Sequence, residues 1–223
     1  DATFVAVYHS HLLEHLRPEQ ALPFLRECRR VLQPGGILRV AVPDLEAIAR
    51  LYLDTLDDAW SGDASAIARR DWMMMELYDQ ATREQPGGGM LESIHQPAYA
   101  LAWSRLGDDA DAVSMARNQA STPVDASWRR RLHGWLFGSW RERLVRWLLG
   151  REYALLQLGR FRRSGEIHQW MYDRVSMRSL LEAAGFANAR TVSAHESTIP
   201  GWAGFHLDAD EQGDIRKPDS LFV

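Results

Sequence analysis

The spacing of apolar positions changes several times along the chain, and each change predicts an element. Residues 4–8 (FVAVY) form an unbroken apolar run of β-branched and aromatic residues, the pattern of a buried parallel strand. A polar elbow follows at His9, Ser10 and His11. From Pro18 apolar residues recur at Ala21, Leu22, Leu25, Cys28 and Leu32 with Arg and Glu between them, which predicts an amphipathic helix over Pro18–Val31. Pro34-Gly35-Gly36 ends it, since Pro cannot continue a helix and Gly supplies the turn. Residues 37–42 (ILRVAV) read as a second buried strand, stopped by Pro43-Asp44. Together these pieces make one βαβ unit, around which the rest of the chain is read.

Beyond it, residues 45–52 read as a helix with Ile48, Leu51 and Tyr52 inward. From 54 to 165 no convincing strand occurs. Residues 71–82 are strongly helical, 86–89 (PGGG) read as a flexible break, 104–124 as a loose linker, and 135–150 as a further helix. The core resumes at Ser176, a good helix cap, with a helix over 177–184 stopped by Gly185-Phe186. Strands are expected at 189–194, 202–208 and 220–223. The fold class is therefore α/β: residues 1–53 open a Rossmann-like core, 54–165 are a helical insertion or lid, and 166–223 complete the core.

Composition changes this picture in three places. The net charge of -4 gives no reason to expect nucleic acid as a partner. Residues 128–163 nevertheless hold ten Arg against two Glu, interleaved with Trp. That segment could dock on anionic lipid or a lipid-linked glycan; the narrow apolar repeat Trp140, Leu144, Trp147, Leu148 favours packing on the core instead. The single cysteine, Cys28, excludes an internal disulfide, fits a reducing compartment and reads as a buried apolar filler. With no signal peptide and no apolar run long enough to span a bilayer, the expected location is cytoplasmic. Asp1 lies on the threshold of a core strand, which predicts that part of a longer protein precedes it.

The runs YHSHLLEHL and FLRECRRVLQPGGILRVAVPDLE resemble the second half of class I S-adenosylmethionine-dependent methyltransferases, of the type 11-like kind. More narrowly, with GEIHQWMYDRVSMRSLLEAAGF, HESTIPGW and KPDSLFV, the chain resembles a bacterial branch found among glycan and surface-polysaccharide genes. The matching blocks cover about half the chain. The resemblance implies S-adenosylmethionine as cofactor, a small-molecule or glycan hydroxyl as acceptor, and a sheet of order 3-2-1-4-5-7-6 of which this chain supplies strands 4, 5, 6 and 7. It also implies an exposed apolar edge at the first strand. Two family features have no counterpart here: the glycine-rich turn that holds the cofactor's methionine end and the acidic residue for its ribose. Gly87–Gly89 follow Pro86 with no strand before them. Asp is expected where Ala6 stands. With the cradle incomplete, these 223 residues alone should bind the cofactor weakly or not at all.

Ligands of open α/β sheets bind at the carboxyl edge of the strands. His9, Ser10, His11 and Leu12 occupy that edge, and the resemblance places them along the cofactor, with His11 a catalytic candidate. Glu14 and His15 belong to the same signature and could orient the elbow or act as a base. Asp44 ends the second strand at the same edge and is expected to contact substrate or to cap the next helix. Glu166, His168, Tyr172 and Asp173 form a polar-aromatic block which the resemblance puts over the site mouth. There His168 and Tyr172 would bind or deprotonate an acceptor hydroxyl, and Glu166 and Asp173 would bind substrate; Trp170 and Met171 are expected to pack. Two other readings stay open. His11-Leu-Leu-Glu-His15 fits the H-x-x-E-H pattern of zinc hydrolases, although Pro18 leaves no room for the long helix that pattern needs. A non-catalytic scaffold, peripheral to a membrane through 128–163, would need no glycine loop.

Overall fold

The structure, a computed structural model, describes residues 2–94, 96, 99, 104–107 and 139–223. Its sheet has three strands in the order β1 (Phe4–Ser10), β2 (Leu32–Pro43), β3 (Ser220–Phe222). β1 and β2 pair in parallel through α1 (Pro18–Val31), the expected βαβ unit, whereas β3 runs antiparallel to β2. The sheet is thus mixed. β1 is its outer strand, with Phe4 and Val5 exposed.

Local chemistry accounts for the unit. Pro18 takes the first helical position, where a missing N–H costs nothing, and the Arg17 N–H donates to Gln20 Oε1 at 3.2 Å. Phe4 pairs with Leu32 and Ala6 with Ile37, so residues 33–36 bulge from the ladder. Gly35 is left-handed there (φ +78°), and a Cβ on Gly36 would lie 2.9 Å from the Gln33 carbonyl oxygen. Along β2 the side chains alternate. Val40 and Val42 join Leu13, Leu25, Met177, Leu181 and Leu221 in the main core between α1 and α8 (Arg174–Ala183), while Ala41 faces Ala194 and Phe222 on the other side.

Between β2 and α8 every element among the described residues is a helix: α2 (Leu45–Asp54), α3 (Leu56–Trp60), α4 (Ala64–Thr82), α5 (Gly88–Ser93), α6 (Ser139–Leu149) and α7 (Glu152–Arg162). Ile48, Trp72, Met73, Met90, Ile94 and Leu106 make a second core there. Glu76 lies buried beside it, accepting from Trp72 Nε1 and held by both Nε and Nη2 of Arg105 at 2.8 and 2.6 Å.

Several expectations need correction. Residues 202–208 are not a strand: Trp202–Phe205 is a 3-10 helix between left-handed Gly201 and His206. Residues 189–194 supply only one bridge, Val192 to Phe222. The first strand runs past Tyr8 to Ser10. Asp173, not Ser176, caps α8. Gly87–Gly89 are no flexible break, for they start α5, and the Asp79 carboxylate accepts from Gly89 N and Met90 N at 2.7 and 3.4 Å. Trp140, Leu144, Trp147 and Leu148 on α6 do not pack inward; all are exposed, Trp147 at 78 %. Most of the 104–124 linker and the 128–138 part of the Arg/Trp segment lie outside the described residues.

On the far side of the sheet a buried ion pair organises the loops after α8. The Arg39 guanidinium meets Asp208 at 2.7 Å, donates to the carbonyls of Ser193 and Glu196, and stacks 4.8 Å from the Trp202 ring. Tyr8 Oη also donates to Asp208, at 2.7 Å.

Candidate functional site

One edge of the sheet gathers residues from three distant parts of the chain. After Ser10 the backbone turns at His11, whose φ of +48° is left-handed. The His11 N–H still reaches the Ala41 carbonyl at 2.9 Å, so the elbow remains tied to β2. Leu13–His15 then form a single 3-10 turn. The segment before α8 lies against that turn: Gln169 N and Trp170 N both donate to the Glu14 carbonyl, and His15 Nδ1 bonds the Ile167 carbonyl at 3.2 Å. Asp44 N donates to the Asp219 carbonyl and Leu45 N to the Tyr172 carbonyl, which brings β3 and residue 172 to the same place.

The side chains divide by role. His9 does not face the crevice. It is 7 % exposed with its ring edge against Phe24, and neither ring nitrogen has a protein hydrogen-bond partner. Burial alone pushes it down to about 4. His11 Nε2 lies 2.8 Å from Ser220 Oγ and its Nδ1 3.5 Å from the Glu14 carboxylate. Burial, with the charge of Lys217, lowers His11 to about 3. Leu12 is exposed and Ser10 half-buried at the strand end. His168 is buried, its ring set edge-on to His15 with centroids 4.8 Å apart, and burial lowers it to about 2. Tyr172 is buried, its hydroxyl has no protein partner, and burial beside Glu14 raises it to about 12. His11, His168 and Tyr172 are therefore all neutral at pH 7.

Asp44 and Asp173 are engaged as helix caps. Asp44 accepts from Glu46 N and Ala47 N at 2.9 and 3.1 Å, and Asp173 from Val175 N and Ser176 N at 2.9 and 2.8 Å. Glu166 is half-buried, its carbonyl receiving Arg83 Nη2 at 2.6 Å. Of the block around it, Met171 packs on the second core as expected, while Trp170 is exposed. Sequence reasoning did not single out Ser220, nor the approach of His168 to Glu14 and His15. Residue 168 stands 153 positions beyond His15, and no local pattern reports such a contact.

Residues 1–40 match the model of a family described as a methyltransferase domain. That stretch covers β1, α1 and most of β2, and it bears out the resemblance to class I S-adenosylmethionine-dependent methyltransferases. No curated protein and no solved structure matches the chain significantly.

Members of such families generally use S-adenosylmethionine, so the described residues of this chain can be tested against that molecule. The triple glycine, the one glycine cluster at a helix start among them, is filled by Asp79 from inside the fold. His9 is turned into the core, against Phe24. These residues do not form a cradle for the cofactor. What they build at the strand edge is a buried wall in which His11, His168 and Tyr172 are uncharged. Among the described residues no helix is long and apolar enough to cross a membrane.

Proposed function

We propose that the chain forms the acceptor-facing side of an S-adenosylmethionine-dependent methyltransferase domain whose acceptor is a hydroxyl of a small molecule or glycan. The observation that carries this is the convergence of the β1 elbow, the β2–α2 junction, β3 and the segment before α8 on one edge of the sheet. The strand order also supports it. β1, β2 and β3, with Val192 bridging beyond β3, run in the sequence 4-5-7-6 of the expected sheet. Because burial makes His11 and His168 weak bases and keeps the proton on Tyr172, the role proposed for them is to bind and orient a hydroxyl, not to remove its proton. Methyl transfer from a sulfonium depends chiefly on alignment, so a base is dispensable for some acceptors.

Titration of the isotopically labelled chain with a panel of sugars and small hydroxyl compounds tests this reading. Amide shifts confined to residues 9–15, 44–46, 166–173 and 219–220 are expected. Scattered shifts, or none with any compound, would sink it. Calorimetry with S-adenosylmethionine should show no micromolar binding to these residues alone.

A second reading rests on α6. Its exposed Trp140, Leu144, Trp147 and Leu148 form an apolar face in an Arg-rich segment, suited to peripheral docking on anionic lipid. Co-sedimentation with anionic but not neutral vesicles, lost in Trp147→Ala, would support it; equal binding of both proteins would end it.

A further inference from the structure

We propose that Glu14, His15 and His168 form a binding site for a divalent transition metal, with zinc the ion that best suits their donors. Each offers one ligand atom, and the three atoms lie within 4.8 Å of one another. Zinc bonds of about 2.1 Å set tetrahedral ligands about 3.4 Å apart, so the group needs to close by up to about 1.4 Å. Two imidazoles and a carboxylate are a recurrent zinc donor set that leaves a fourth position for water.

Three features show that the geometry is built and not incidental. First, the two halves are pinned by backbone. The Glu14 carbonyl receives Gln169 N at 2.7 Å and Trp170 N at 3.2 Å, so His168 is held over the 13–15 turn. Second, the His15 tautomer is fixed. A carbonyl can only accept, so the 3.2 Å contact of Nδ1 with Ile167 O requires the proton on Nδ1 and leaves the Nε2 lone pair available. That arrangement, one nitrogen donating to a carbonyl and the other free, is how metal-bound histidines are usually oriented. Third, His168 is 6 % exposed and its Nδ1 has no protein hydrogen-bond partner. Leaving an imidazole nitrogen buried and unbonded is costly, and coordination of an ion by this nitrogen would remove that cost.

Charge decides which member matters most. Arg83 and Lys217 lie near enough to the two rings to disfavour more positive charge there. Glu14, 0 % exposed, is the oxygen donor of the cluster and the member that would bring a negative charge on binding a dication, with His11 Nδ1 3.5 Å behind its carboxyl group. His15 is the half-exposed member, so ion and water enter on its side. This site differs from the H-x-x-E-H arrangement, because His11 Nε2 is engaged with Ser220 and residues 13–15 make only one 3-10 turn. The proposal does not depend on methyl transfer.

The test uses the chelator-stripped chain and zinc chloride, with cobalt chloride as a visible probe. Saturable one-to-one binding is expected, with a tetrahedral cobalt spectrum that zinc abolishes. Zinc should raise the melting temperature and shift the side-chain nitrogen resonances of two histidines. Glu14→Gln, His15→Gln and His168→Gln should each weaken binding more than about tenfold, while His195→Gln, at an exposed histidine elsewhere, leaves it unchanged. Far-UV circular dichroism selects the folded variants; His15→Gln, half-exposed, carries the test if the buried variants do not fold. No saturable zinc binding by the folded parent overturns the proposal. So does binding that a folded ligand variant weakens less than that, or that His195→Gln removes.

Discussion

Replacing His9 with leucine should stabilise the protein, although His9 occupies the strand end where a ligand contact was expected. Its ring is buried against Phe24 with both nitrogens lacking protein partners. Burying a polar atom without a bond costs about 1–3 kcal/mol, and a leucine of similar size removes that cost. The pH dependence gives an independent reading. The folded pKa of His9 is about 4 against 6.5 for the free side chain, so between those values the unfolded chain binds a proton that the native state refuses. A group depressed on folding contributes stability above its unfolded pKa and loses it as pH falls towards its folded one. From pH 7.5 to 5.0 the loss for one such histidine is about 2 kcal/mol. Urea denaturation of His9→Leu should therefore show a gain at pH 7.5 and a larger gain at pH 5.0, with the slope over that window reduced by about 0.8 kcal/mol per pH unit on average. A variant less stable than the parent, or one with an unchanged slope, would refute the reasoning and return His9 to the ligand-facing side.

Asp208→Ala strands the Arg39 guanidinium in the interior and should cost about 3–5 kcal/mol in denaturant titration. A cost below 1 kcal/mol would mean that Arg39 finds water. Trp72→Ala, at the centre of the helical core, should cost about 3–5 kcal/mol and lower the melting temperature accordingly. Asp44→Asn retains an oxygen for the α2 amides and should change stability by less than about 0.5 kcal/mol, whereas Asp44→Ala should cost about 0.5–2 kcal/mol. If Asp44 also contacts the acceptor, Asp44→Asn weakens the ligand-induced amide shifts at unchanged stability; unaltered shifts would restrict it to capping.

The βαβ unit was legible because it is local. FVAVY, the apolar rows of Pro18–Val31 and ILRVAV each encode their element within a few turns of chain, and the bulge at Gly35-Gly36 is announced by its residues. The tail was harder. At 189–194 the alternation of Arg, Thr, Val and Ser suggested a strand, but β3 spans only Ser220–Phe222, and only Val192 pairs with it. At 202–208 two aromatics suggested a strand, while Gly201 and Gly204 were the better signal, marking a left-handed entry and a tight turn. The candidate edge was half legible: His11, Asp44, His168 and Tyr172 were chosen from strand-edge position and the family resemblance, and they do lie at one edge. Which of them is buried, which caps a helix and which meets Glu14 depends on packing between residues more than a hundred positions apart. The outward Trp147 shows the same limit, since its periodicity fits a core-facing and a solvent-facing helix equally.

The pairing of Ala41 with Phe222 has a kinetic consequence. Bringing together residues separated by 181 positions costs about 5 kcal/mol of loop-closure entropy, whereas β1 and β2 meet across a single helix. The βαβ unit can therefore form early, and β3 docks only after most of the chain has collapsed. The strand that adds Ser220 to the His11 elbow joins last on folding and is the first to leave in partial opening. In hydrogen exchange the amides of Val40 and Val223, bonded to each other across that seam, should lose protection together and before those facing α1. The candidate edge is thus a late-closing seam, assembled only when the two ends of the fold have met.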